Sequence, residues 1–64
     1  MSLSLVNTLF VGCLFIHNGK NCLINEIRSV DDNNKIIRLW LVDAEADFIA
    51  LEISYTEFYE KGVF

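Results

Sequence analysis

The run Cys13-Leu14-Phe15-Ile16-His17-Asn18-Gly19-Lys20-Asn21-Cys22-Leu23-Ile24 decides the fold. Asn-Gly is among the strongest two-residue hairpin signals, because both positions tolerate the positive φ angles that a tight antiparallel turn requires. Branched and aromatic residues on either side read as two strands. With Asn18-Gly19 as the loop, His17 pairs with Lys20, Phe15 with Cys22 and Cys13 with Ile24. The two thiols are then diagonal, about 7–8 Å apart along the backbone, which is wide for a disulfide. Both are expected as reduced core side chains, and a cytoplasmic protein is the expectation that follows.

The pattern continues outward. Residues 9–17 form a first strand and residues 20–29 a second. In the second strand Cys22 and Ile24 share one parity and Ile27 takes the other, so a bulge or sharp bend is expected near Asn25-Glu26. Asp31-Asp32-Asn33-Asn34 reads as a turn. Residues 35–42 make a third strand and residues 48–53 a fourth. If Leu39 faces Leu51, then Leu41 faces Ile49 and Ile37 faces Ile53, and one register aligns three apolar pairs. Ser54-Tyr55-Thr56-Glu57 fits a helical capping box, with Ile53 and Phe58 spaced as a hydrophobic staple. Gly62 is placed to stop the helix. The start is ambiguous: Ser2-Leu3-Ser4-Leu5 alternates like a strand, yet Ser4 is also a fitting cap for a short helix up to Leu9.

The fold class expected is all-β and mainly antiparallel, a small partly open barrel of four or five strands with a short C-terminal helical turn. Sixty-four residues allow one domain, residues 1–64. A chain this short buries only about 60% of its unfolded surface, so its core has little margin. At 53% hydrophobic residues it is no disordered tail. The spacing Gly12, Asn18-Gly19-Lys20, Cys22-x-Ile24-x-x-Ile27, Ile37-x-Leu39-x-Leu41 and Ile49-x-Leu51 resembles that of SH3-like small β-barrels, over roughly residues 9–58. The resemblance lies in apolar spacing and includes no diagnostic motif. It implies a binding module for proteins or nucleic acids.

Charge narrows the choice. Five Lys and Arg against nine Asp and Glu leave a net charge of −4, which argues against general binding to nucleic-acid phosphates. Lys20, Arg28, Lys35 and Arg38 lie on or beside the second and third strands and read as solubilising charge rather than a basic patch. The first charge is Lys20, so residues 1–16 must be weighed as a signal peptide. A basic n-region is missing and Ser2, Ser4, Asn7 and Thr8 interrupt the apolar run. Cys13 after Leu9-Phe10-Val11-Gly12 faintly matches a lipidation box, but cleavage there would leave too little chain for a core. No stretch reaches the roughly 20 apolar residues of a membrane span.

Enzymatic chemistry finds no support. Cys13 and His17 are about 13 Å apart along an extended strand, and no triad can be assigned. One His and no Cys-x-x-Cys pair do not make a zinc site. The EF-hand loop needs Gly at position six and Glu at position twelve. Counting from Asp31 those are Ile36 and Val42, and from Asp43 they are Phe48 and Ser54. No cofactor, metal or catalytic residue is expected.

Aromatic side chains carry the functional expectation. Opposite the core parity of the third and fourth strands stand Trp40 and Phe48, while Tyr55 and Tyr59 share a face of the short helix. Together they are the candidate anchors of a partner-binding surface, rimmed by Asp43, Glu45 and Asp47. The competing structural reading is that residues 1–8 cover Trp40. A non-enzymatic, protein-interaction module that docks on a protein or on itself, as a homodimer or larger, is the leading expectation. Six acids within residues 43–60 support an alternative: an inhibitor of phage or mobile-element type that imitates phosphate charge and blocks a host nucleic-acid enzyme.

Overall fold

The computed structural model describes residues 2–64. It opens with helix α1, Leu3–Phe10, where Ser2, not Ser4, is the cap: its hydroxyl accepts from the Leu5 amide at 3.4 Å. The strand expected from residue 9 therefore begins later. Val6 and Phe10, four apart, turn one helical face onto the core. Gly12, at φ +90°, then redirects the chain into strand β1, Leu14–His17.

β1 turns through Asn18 and Gly19, at φ +50° and +76°, into β2, Lys20–Asp31. His17 opposes Lys20 and Phe15 opposes Cys22, as the turn chemistry requires. β2 departs from regular pairing twice, between Ile24 and Glu26 and between Ile27 and Ser29. The first irregularity is the bulge expected from the parity break. With it, Ile27 joins Cys22 and Ile24 in the core. A turn at residues 32–35 leads to β3, Ile36–Val42, which pairs with β4, Phe48–Ser54, in the expected register of Ile37↔Ile53, Leu39↔Leu51 and Leu41↔Ile49.

Helix α2, Tyr55–Lys61, starts at Ser54, whose hydroxyl accepts from the Glu57 amide at 3.1 Å. The carboxylate of Glu57 accepts from Lys61 Nζ at 3.3 Å. Phe58 is fully buried with Phe15, and the rings of Phe10, Tyr59 and Phe64 surround it. Gly62 ends the helix with φ −78°, so it is not a left-handed cap. It begins a two-residue strand β5, Gly62–Val63, beside β1, and a Cβ there would run into the Phe64 ring.

The sheet order is β4-β3-β2-β1-β5, all antiparallel, and it is not closed. Val6, Phe15, Cys22, Ile24, Ile27, Ile37, Leu39, Leu41 and Phe58 fill the inner face. α1 lies there too, held by Asn7. Asn7 Oδ1 accepts from the Ile27 amide at 2.8 Å and Nδ2 donates to the Ile27 carbonyl at 3.0 Å. β1 contacts β2 only as far as Ile24, through Gly12 and Cys13. One side chain thus continues the ladder where β1 has left it.

Candidate interaction surface

Strand alternation puts every second side chain on the outer face of the sheet. On β3 these are Arg38, Trp40 and Val42; on β4, Phe48, Ala50 and Glu52. Trp40 is half-buried and Phe48 is 62% exposed, with ring centroids 6.3 Å apart, edge to face. Ala50 opposes Trp40 across the strands, and its small side chain leaves the indole flank open. The result is a shallow depression of about 390 Å³ lined by Arg28, Arg38, Trp40, Ala50 and Glu52. A second, of about 250 Å³, lies between Trp40, Phe48, Asn25, Glu26 and Arg28. The residues of α1 line neither, and α1 packs on the inner face, so it does not cover Trp40.

The pairing registers add a feature that sequence reasoning missed. Val63 opposes Leu14, Leu14 opposes Leu23, Leu23 opposes Val42 and Val42 opposes Phe48. These five side chains share the outer parity and form one apolar row from edge to edge. Leu23, Phe48 and Val63 are 47%, 62% and 56% exposed. The Leu14–Leu23 pair follows from the Asn18-Gly19 turn once its register is fixed. Val63 carries no signal of its own, because a two-residue strand has no periodicity to read.

The four aromatic candidates do not form one surface. Trp40 and Phe48 meet on the outer face. Tyr55 and Tyr59 line a small cleft with Val6, Phe10, Val30 and Ile37 on the other side of the sheet. The Tyr55 hydroxyl donates to Asp32 at 2.6 Å, and its backbone amide donates to the Lys35 carbonyl at 2.9 Å. That carboxylate bond, assisted by partial desolvation, pushes the phenol up to about 12. Tyr55 therefore fastens α2 to the β2–β3 turn. Tyr59 is 60% exposed and packs against Phe10, Phe58 and Phe64.

The acidic rim divides as well. Asp43 Oδ1 accepts from the Glu45 and Asp47 amides, both at 2.9 Å, and so shapes the β3–β4 loop. Glu45 and Asp47 are exposed beside the Phe48 end of the apolar row. Asp31 shapes the other turn, accepting from Asn33 and Asn34; the Asn34 side chain holds its carboxyl below the usual range. Among the described residues no three His, Cys, Asp or Glu side chains converge as a metal site. Of the basic residues, Arg38 meets Glu52 at 2.6 Å, Arg28 meets Glu26 at 3.7 Å, and Lys35 lies 5.7 Å from the Tyr55 ring centroid.

Both cysteines are free. Cys22 is buried, and burial pushes its thiol up; Cys13 is only half-buried, less enclosed than expected. His17 is also half-buried, with Nε2 3.3 Å from Asn18 Nδ2. Among the described residues no helix is long and apolar enough to cross a membrane. What the fold and this surface define is a small open-sheet β domain with an apolar outer face. Comparisons with protein-family models, curated proteins and solved structures found no match.

Proposed function

We propose that the protein is a non-enzymatic interaction module of the SH3-like small-barrel type, docking on a protein partner or on a second copy of itself. The observation that carries this reading is the uncovered apolar row on the outer face, ending in the Trp40–Phe48 pair. Exposed aromatics beside ion-paired charge, with an acidic loop at one end, match the anatomy of a binding patch: apolar centre, polar rim. The two register irregularities of β2 against β3 support the small-barrel comparison, because bulges bend a strand and curl its sheet toward closure.

The phosphate-mimic reading gains less. Of its six acids, Glu52 is paired with Arg38 and Glu57 with Lys61, while Asp43 is occupied with its own loop. Capture from the native host with wild type and Phe48→Ala side by side, each at low and high salt, tests the proposal. The module reading expects partners lost with Phe48→Ala and retained in salt. Partners kept by the variant and released by salt would favour the mimic.

A further inference from the structure

The β4 edge is built for pairing. Monomeric proteins blunt their sheet edges with Lys, Pro, bulges or very short strands. The opposite edge here, β5, is two residues long. β4 has seven residues, Phe48-Ile49-Ala50-Leu51-Glu52-Ile53-Ser54, with no Lys, no Pro and an unbroken register on β3. Its one charge, Glu52, is paired with Arg38 of the neighbouring strand at 2.6 Å. The inner-face residues point the same way. On β3, Ile37, Leu39 and Leu41 are 5% exposed or less, whereas Ile49, Leu51 and Ile53 on β4 are only half-buried. They pack against the core from the terminal strand of the sheet and are less enclosed than their β3 partners.

We infer that β4 pairs antiparallel with β4 of a second copy, about a two-fold axis at Leu51. This rests on the self-association arm of the proposed function and specifies its surface. Full overlap sets Leu51 against Leu51 and Ile49 against Ile53 on the inner face, and Ala50 against Glu52 and Phe48 against Ser54 on the outer. A slip of one residue would send the apolar row outward. A two-residue shift one way opposes the two Glu52 side chains, a like-charge contact. The other way sets Ile53 against Asp47. The seven-residue strand runs about 23 Å, against molecular extents of 33 × 20 × 19 Å, so the pairing engages a whole side of the molecule. The two-fold brings one surface onto itself, so the assembly stops at a dimer.

Ala50 is exposed and faces the second copy's Glu52 in this register. Sedimentation of wild type, Ala50→Glu and Ala50→Lys across a concentration series is the test, with melting to confirm the folds. Wild type should reach twice the 7.4 kDa chain mass and go no further. Ala50→Glu adds two like-charge contacts and should weaken the dimer by about tenfold. Ala50→Lys should keep or tighten it, by completing an Arg38–Glu52–Lys row across the join. A wild-type monomer at all concentrations, a larger assembly, or equal effects of the two variants would each overturn the inference. Partner capture that depends on Phe48 would then leave the interaction module standing without this interface.

Discussion

Replacing Asn7 by Ala sets two physical effects against each other. On helix propensity alone the change favours α1, because Ala exceeds Asn by about 0.6 kcal/mol in a helix interior. But Asn7 satisfies both backbone groups of Ile27, a residue only 1% exposed. Leaving a buried donor and acceptor unpaired costs about 1–3 kcal/mol each. The site is only partly buried, so water can reach it in the variant and the low end applies, near 2–3 kcal/mol in all. The net expectation is a loss of about 2 kcal/mol, equivalent to a fall in Tm of about 8–16 °C for a domain of this size. Ser4→Ala is the control: Ser4 is exposed on the same helix, and its substitution should leave Tm unchanged or slightly raised. Thermal melting followed by circular dichroism reads both variants. If Asn7→Ala is as stable as Ser4→Ala, the side chain does not continue the sheet, and the account of how α1 is fastened fails.

Other outcomes follow from the same contacts. The Tyr55 phenol should ionise near pH 12 by phenolate absorbance, and Asp32→Asn should bring it down toward its ordinary ~10. Because its folded pKa is raised, the Tyr55 contribution to stability is fully present below about pH 10 and is lost as pH rises toward 12. Tyr55→Phe should remove that alkaline dependence. Toward thiol reagents Cys13 should label in the native state ahead of Cys22, whose labelling should wait for unfolding; equal rates, or a native disulfide, would contradict the hairpin packing. Leu39→Ala should cost about 2–5 kcal/mol and leave most of the chain unfolded, since Leu39 is 1% exposed.

The parts legible in the sequence are those where one local rule dominates. Asn18-Gly19 fixes the first hairpin, and the alternation of Ile37, Leu39 and Leu41 against Ile49, Leu51 and Ile53 fixes the second. Ser54 and Glu57 mark α2, and the parity break before Ile27 marks the bulge. Residues 2–10 were not legible, because Ser2-Leu3-Ser4-Leu5 satisfies period two while Val6 and Phe10 satisfy the helix. The choice is made by tertiary contacts: Asn7 on Ile27, and Phe10 on Phe58. The same limit hid the separation of Tyr55 from Trp40. Both are aromatic and lie near the end of a core strand, but a carboxylate 23 residues earlier in the chain draws Tyr55 to the β2–β3 turn.

The central claim is that Trp40 and Leu39, neighbours in sequence, divide binding from folding. Trp40→Ala tests it most directly, in one sample measured for melting and for association. Trp40 is half-buried on an open face, so its loss should cost about 1–2 kcal/mol and leave the sheet folded. Binding to a captured partner should weaken by at least about thirtyfold, the effect of losing 2 kcal/mol at a binding hot spot, while pairing of β4 with a second copy, which does not use Trp40, should persist. A folded Trp40→Ala protein that binds the captured partner as strongly as wild type would contradict the account, as would a variant that unfolds while Leu39→Ala stays native.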